Sequence, residues 1–340
     1  MYSYKNIIIS RTDGIGDVVL ALPIAGVLKE LYPDSNIIFL GRDYTKVIID
    51  SCKHIDRFVG WDYIIKLGET ESINYFKSLQ ADVIIHVFPR KSIAELAKKA
   101  NIPLRIGTSH RHYHWNTCNR LVGLSRRKSI HHEAQLNLKL LVSLGAKKNF
   151  DLAEIPKYYG FSITGYPDTR FKSLLSTEKF NLIIHPSSKG SAREWGMKNY
   201  QELLEIIPQN KFKVFISGTE EEGLKTRPFL LDKFPDVVDL TGKMSLPELI
   251  SFISVADGLL AASTGPLHIA AALGKHTLGL YAPMRPIHPG RWAPLGEKAA
   301  FIVKDKYCSK CRHKVKCECI ESITPIEVME KLSQFKKTNE

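Results

Sequence analysis

The sequence predicts an α/β protein: two doubly wound, Rossmann-like domains in tandem, with a ligand cleft between them. Three observations predict it. Short Ile/Val-rich runs alternate with helix-length segments through the first half of the chain; the alternation fades between about residues 150 and 179, where Pro, Gly and Tyr gather; and it then restarts. Strands that are apolar along their whole length and separated by helices indicate parallel sheets covered on both faces. The carboxyl ends of such strands are the usual ligand site.

Each element follows from local pattern. Residues 6–10 (NIIIS) read as a buried strand, followed by a Gly-containing turn and an apolar helix over 18–31. Strands are expected at 36–40, 56–59, 83–87 and 105–107, and helices at 45–51, 72–79, 92–100 and 134–144. In the last of these, Leu136, Leu140, Leu141 and Leu144 share one face. The second half places strands at 181–185, 213–217, 237–239, 258–262 and 277–281, with helices at 198–207, 221–230, 246–255 and 267–273. A final helix covers 325–334, its Pro325 in the first turn, where the missing N–H costs nothing.

Composition bounds the function. Apolar residues are 44% and charged residues 24% of the 340, a globular balance that excludes disorder, coiled coil and collagen. No apolar run approaches the ~18 residues of a membrane span. The opening MYSYKNIIIS has one Lys and no small-residue cleavage site after it, so it does not read as a signal peptide. Six Cys without an export signal suggest reduced thiols and a soluble, cytosolic protein. The net charge of +13 suits an anionic partner. It is concentrated: residues 101–128 hold Arg105, Arg111, Arg120, Arg126, Arg127 and Lys128 with no Asp or Glu, and a second basic stretch runs over 298–319.

Four motifs carry candidate chemistry. The turn Arg11-Thr12-Asp13-Gly14-Ile15-Gly16-Asp17 follows the first strand, and its glycines permit a sharp bend and close ligand approach. A dinucleotide fingerprint asks for Gly or Ala where this chain has Val19, and no acid closes the second strand. Both points argue against an NAD-dependent oxidoreductase. Asp17 reads either as a helix-end acid complementing the dipole or as a functional carboxylate. Ser263-Thr264-Gly265-Pro266-Leu267-His268 joins an apolar strand to a helix start, which makes an anion nest or an ordinary capped helix. His185-Pro186-Ser187-Ser188-Lys189-Gly190, with Arg193 following, could hold a diphosphate through charge-assisted bonds. Cys308, Cys311, Cys317 and Cys319 lie within twelve residues and could form a structural zinc site or remain thiols. A non-catalytic nucleotide or nucleic-acid binder is the other alternative, but no aromatic-basic strand motif or helix-turn-helix signature supports it.

These pieces, in this order, resemble the ADP-heptose:lipopolysaccharide heptosyltransferases of glycosyltransferase family 9. The resemblance spans nearly the whole chain and rests on IIISRTDGIGDVVLALP, HPSSKGSAREW, LTGKMSLPEL and STGPLHIAAALGK. It implies a GT-B fold, two Rossmann-like domains facing a central cleft: an acceptor domain at 1–160, a nucleotide-sugar domain at 175–322, and a helix at 323–340 crossing back onto the first domain. Residue by residue, it implies that Asp17 is the catalytic base, that Ser187, Ser188 and Arg193 contact donor phosphate with Lys189 beside them, and that Ser263, Thr264, Gly265 and His268 form the diphosphate nest. Met244 matches a residue lining the nucleoside pocket, and Glu222 falls near the position that contacts donor sugar or ribose. Gly16, Arg105, Arg111 and Arg120 are assigned to the acceptor side. Ser263 stands where relatives often carry Asp, and Arg193 where they often carry Lys, which bears on the identity of the sugar. The implied activity is inverting, metal-independent transfer of a heptose or related sugar from an ADP-activated donor to a lipopolysaccharide core or related glycan. The resemblance further implies that no cofactor is needed, that the acceptor is an acidic glycolipid at the cytoplasmic face of the inner membrane, where the enzyme is expected to be peripheral, and that no nucleic acid takes part.

Overall fold

The computed structural model describes residues 3–126, 129–163, 168–284, 287–304 and 318–337, and the chain divides into two compact units, Met1–Ser162 and Ile163–Glu340. The first unit holds a parallel sheet of β1 (Asn6–Ser10), β2 (Asn36–Gly41), β3 (Arg57–Gly60), β4 (Val83–His86), β5 (Leu104–Thr108) and β6 (Arg120–Val122), in the order β3-β2-β1-β4-β5-β6. The order reverses at β1, where Ser10 is in register with Leu40 on one side and His86 on the other. Loops leaving the carboxyl ends of β1 and β4 therefore diverge, and a crevice opens at that switch point.

Ile7, Ile8 and Ile9 are fully buried because helices cover both sheet faces, which is why the strand is apolar without alternation. The helix expected over 18–31 is two helices, Ile15–Val19 and Pro23–Leu31. Pro23 cannot donate to a preceding turn, so it ends one helix and starts the next. Gly26 is obligatory in the second: a Cβ there would stand 2.3 Å from the Tyr158 carbonyl oxygen. The segment 134–144 is likewise split, into Glu133–Lys139 and a 3-10 turn Leu140–Leu144, closed by Gly145 at φ +89°. A helix at His112–Thr117 and the edge strand β6 are additional to the sequence expectation.

The second unit repeats the plan with β7 (Phe180–His185), β8 (Phe212–Ile216), β9 (Val238–Asp239), β10 (Gly258–Ala262), β11 (His276–Tyr281) and β12 (Ala299–Val303), in the order β12-β11-β10-β7-β8-β9. All its pairings are parallel. β12 was not expected; it is an edge strand of half-buried and exposed residues and lacks a continuous buried run.

The last helix has its packing partner in the second unit. Pro325–Leu332 packs against Met197–Ile206. Val328 and Leu332 are fully buried in the second core, together with Ile320 and Ile323. Beyond it, Phe335 stacks on Phe180 and His276, and Lys337 Nζ donates to the carbonyls of Ser176, Thr177 and Lys179 at 2.7–3.0 Å. The helix's apolar stripe thus adds to the second core beside Met197–Ile206. Among the described residues, no helix is long and apolar enough to cross a membrane.

Candidate functional site

In the first unit, β1 ends at Ser10 and the chain turns through residues 11–14 into the helix Ile15–Val19. Gly14 is its N-cap without a side-chain cap bond, and Asp17 and half-buried Gly16 lie in its single turn. Asp17 does not spend its carboxylate on the backbone. Its Oδ1 accepts a short hydrogen bond from Arg11 Nη2. Arg11, 2% exposed, also donates to both oxygens of Asp13 at 2.9 and 3.0 Å, to Glu133 Oε1 at 3.1 Å and to Asn137 Oδ1 at 2.9 Å. Arg126 joins from the other side, reaching Glu133 Oε1 at 2.8 Å, Asn137 Oδ1 at 3.0 Å and the Val87 carbonyl at 2.9 Å. Burial pushes the Asp17 carboxyl up to about 6; Arg11 opposes this, while the charges of Asp13 and Glu133 add to it. The result is a carboxylate near neutrality whose side chain keeps 29% exposure, enough to meet a ligand.

The basic stretch does not act as one patch. Arg105 is half-buried and donates to the carbonyls of Thr117, at 2.7 Å, and Ile102. Its guanidinium ties the segment before β5 to the one that joins β5 to β6, so its Nε and Nη1 are engaged by backbone carbonyls. Arg126 is drawn into the acidic cluster. Arg111 and Arg120 are exposed: Arg111 in the loop leaving the carboxyl end of β5, Arg120 at the start of β6. Arg127 and Lys128 lie outside the described residues.

In the second unit the predicted residues follow the carboxyl ends of four neighbouring strands. After β7, His185 is buried and its Nδ1 lies 3.0 Å from Ser217 Oγ, which follows β8; burial lowers its proton affinity. Ser187 and Ser188 are buried, Lys189 is exposed at φ +47°, and Arg193 is half-buried. Ser188 differs from expectation. Its N–H donates to Glu194 Oε1 at 2.8 Å, and its hydroxyl lies 3.1 Å from the same oxygen and 3.0 Å from the Ala192 carbonyl. Those bonds shape the loop. Glu222, after β8, also has a structural duty: its Oε2 accepts from Thr219 N at 2.7 Å and Oγ1 at 2.9 Å, the capping box of helix Glu220–Leu230. Half-buried Met244 lies in the turn after β9.

After β10, Ser263 hydrogen-bonds the buried Tyr281 hydroxyl. Thr264 is the N-cap of helix Gly265–Ala272, yet its side chain makes no cap bond. Its Oγ1 is buried with no protein partner, beside the helix end where Gly265 and Leu267 present backbone N–H groups and Pro266 has none. His268, 3% exposed, belongs to the same first turn. A buried hydroxyl and unpaired helix-end amides together fit an oxyanion of a diphosphate.

Cys308, Cys311 and Cys317 lie outside the described residues; Cys319 is half-buried on the second core. Among the described residues no group of three or more His, Cys, Asp or Glu could hold a metal ion.

Residues 75–320 match the model of glycosyltransferase family 9 (heptosyltransferase). The chain belongs to this family. Among its relatives, the lipopolysaccharide core heptosyltransferase OpsX of Haemophilus influenzae is 25% identical over 83% of this chain and 80% of its own length. Among solved structures, a family 9 glycosyltransferase from Veillonella parvula superposes with a TM-score of 0.77 at 19% identity, covering 98% of both chains. Escherichia coli heptosyltransferase WaaC with ADP-2-deoxy-2-fluoro heptose superposes at 0.71 and 15% identity, covering 97% of this chain and 99% of that one. These likenesses establish the α/β two-domain GT-B fold. As a family 9 member the chain is a glycosyltransferase, and neither the oxidoreductase nor the nucleic-acid-binding alternative is favoured. Arg11, Glu133 and Asn137 had no assigned role in the sequence, and Arg126 read as part of the basic stretch for an anionic partner; the available signal was an Arg leaving a buried strand with acids two and six residues on.

Proposed function

We propose that this glycosyltransferase moves a heptose, or a closely related sugar, from an ADP-activated donor to an acidic lipopolysaccharide-core acceptor, by a single displacement that inverts the anomeric centre and needs no metal. The observation that carries the reading is Asp17: a partly exposed carboxylate at the β1 switch point, lifted to about 6 and held through one oxygen. The donor and acceptor classes come from the relatives, OpsX being a lipopolysaccharide core heptosyltransferase and the WaaC structure holding a fluorinated ADP-heptose.

In this reading the acceptor hydroxyl attacks the anomeric carbon while its proton passes to Asp17 Oδ2. The new C–O bond forms as the bond to the diphosphate breaks, and ADP departs with the electron pair. A base so placed contributes about 10²–10⁴-fold. The charge growing on ADP is met by the helix end at Gly265, by Thr264, Ser263 and His268, and by Ser187, Lys189 and Arg193 from the β7 loop. Ser188 keeps that loop in shape, Met244 borders the nucleoside, and Glu222 fixes the helix start beside the sugar or ribose. Arg111 and Arg120 gather the acidic acceptor. Trp115 at 60% exposure and Leu121 at 43% flank them and suit peripheral attachment to an anionic leaflet, where each Lys or Arg adds about 1 kcal/mol.

The test is turnover of ADP-heptose with purified core acceptor in the presence of EDTA, the product analysed by mass spectrometry and NMR. A product heavier by one heptose, with inverted anomeric configuration, is expected. Retained configuration, or activity that EDTA abolishes and a divalent cation restores, overturns the mechanism; turnover of a different nucleotide sugar alone overturns the donor.

A further inference from the structure

Behind Asp17 lies a second acid that meets no solvent. Glu133 is fully buried at the first position of helix Glu133–Lys139, its Oε1 accepting from Arg11 Nη1 at 3.1 Å and Arg126 Nε at 2.8 Å. Asn137, four residues on and also fully buried, accepts both guanidiniums on Oδ1 and donates to the Leu20 carbonyl at 3.0 Å. A carboxylate sealed this deep is costly unless paired, and apolar residues of similar size would pack more stably. The cluster instead restrains one guanidinium. Arg11 Nη1 is taken by Glu133 and Asn137, Nε and Nη2 by Asp13, and Nη2 also reaches Asp17 Oδ1. Turning the guanidinium toward Asp17 Oδ2 would break several of these bonds at once. Oδ2 lies toward Gly14, where a Cβ would stand 3.3 Å from it and crowd its approach.

We infer that Glu133 and Arg11 are a positioning pair: Glu133, acting through Arg11, holds the Asp17 carboxylate with Oδ1 bonded and Oδ2 presented to the acceptor's proton, and tunes how strongly that oxygen binds it. The inference rests on the reading of Asp17 as base. The groups around Asp17 fix the sign. From the β1 turn come Arg11 and Asp13; from the helix, Glu133 with Arg126 behind it. Tyr44, after β2, donates to the Asp13 carbonyl at 2.8 Å, and Arg90, after β4, donates to Thr12 Oγ1 at 3.0 Å. Two guanidiniums thus serve three carboxylates. Burial raises Asp17, Arg11 lowers it, and Asp13 and Glu133 raise it again. Glu133→Gln keeps the shape, deletes one negative charge and leaves more of Arg11 to Asp17, so Asp17 must lose its proton more easily.

The test pairs kcat/KM–pH profiles with 13C NMR titration of the Asp17 carboxyl, assigned by difference from Asp17→Asn. In Glu133→Gln, the acidic limb and the NMR midpoint both move to lower pH by about 1 unit, and Glu133→Asp returns the midpoint toward wild type. Asn137→Asp adds a charge on the same side and moves the midpoint up, which keeps the inference open to refutation if Glu133→Gln fails to fold. A midpoint that stays put or rises in folded Glu133→Gln, or falls in Asn137→Asp, overturns it. Full turnover by Asp17→Asn overturns the base assignment, whereas the NMR midpoint reads the pair independently of turnover.

Discussion

The two units prepare their carboxyl-end turns by opposite means. In the first, the turn after β1 is built from charged side chains: three carboxylates around a buried and a half-buried guanidinium, with Asp17 the most exposed of the acids. In the second, the turn after β10 relies on backbone, a helix end with a buried Thr264 hydroxyl that has no protein partner. Side-chain charge can be tuned but responds to pH, because each member changes its neighbours' proton affinity. Amide dipoles do not titrate and need no reorganisation when charge develops. The division suits the proposed chemistry: a proton must be accepted on one side, and a permanent anion held on the other.

Breaking the charged side has the largest expected effect. Asp17→Asn lowers kcat by about 10²–10⁴-fold while ADP affinity, by calorimetry, stays within a few-fold. An intact rate in that variant removes the contrast altogether. Wild-type kcat/KM should itself fall about tenfold per pH unit below about 6, where the base takes up a proton. On the backbone side, Thr264→Val raises the donor KM by about tenfold or more, as expected for one bond to a charged oxygen. Its Tm should not fall, because Oγ1 has no protein partner to lose. A lower Tm with unchanged KM would make Thr264 a structural residue.

Replacing Arg111 and Arg120 together by Ser weakens use of vesicle-borne acceptor by up to about 30-fold, at about 1 kcal/mol per charge, and flattens the salt response. A soluble, deacylated acceptor separates sugar binding from surface attachment. The smallest effect is on stability. Asp17 binds its proton more tightly folded than unfolded, so the wild-type fold loses stability as pH rises from about 4 to 6. Asp17→Asn escapes that loss, and its stability relative to wild type should improve by about 1–3 kcal/mol between pH 4 and pH 7 in urea titrations.

The sheet positions were legible because central strands buried on both faces must be apolar throughout, as in Ile7–Ile9 and Leu259–Ala262. Edge strands escape that rule. β6 offers exposed Arg120 and Leu121, and β12 offers exposed Phe301, so neither shows the pattern. Arg126 read as surface charge because its partners, Glu133 and Asn137, are set by tertiary packing. Glu222 was legible in principle: Thr219-x-x-Glu222 is a capping box, a local signal that needs no sugar to account for the acid. The destination of the last helix was not local at all. Val328 and Leu332 define an apolar stripe, but a stripe does not name the surface that covers it.

Trp195 is fully buried, its indole N–H bonded to the Ile323 carbonyl at 2.8 Å, while Trp115 stands out with most of its ring uncovered. One chromophore thus reports on the seam between the β7 loop and the C-terminal segment, and the other on the surface bearing Arg111. Once the other two of the four tryptophans, Trp61 and Trp292, are replaced by Phe, acrylamide quenching can tell the two emissions apart, so a label-free fluorimeter could follow nucleotide capture and bilayer attachment in a single cuvette.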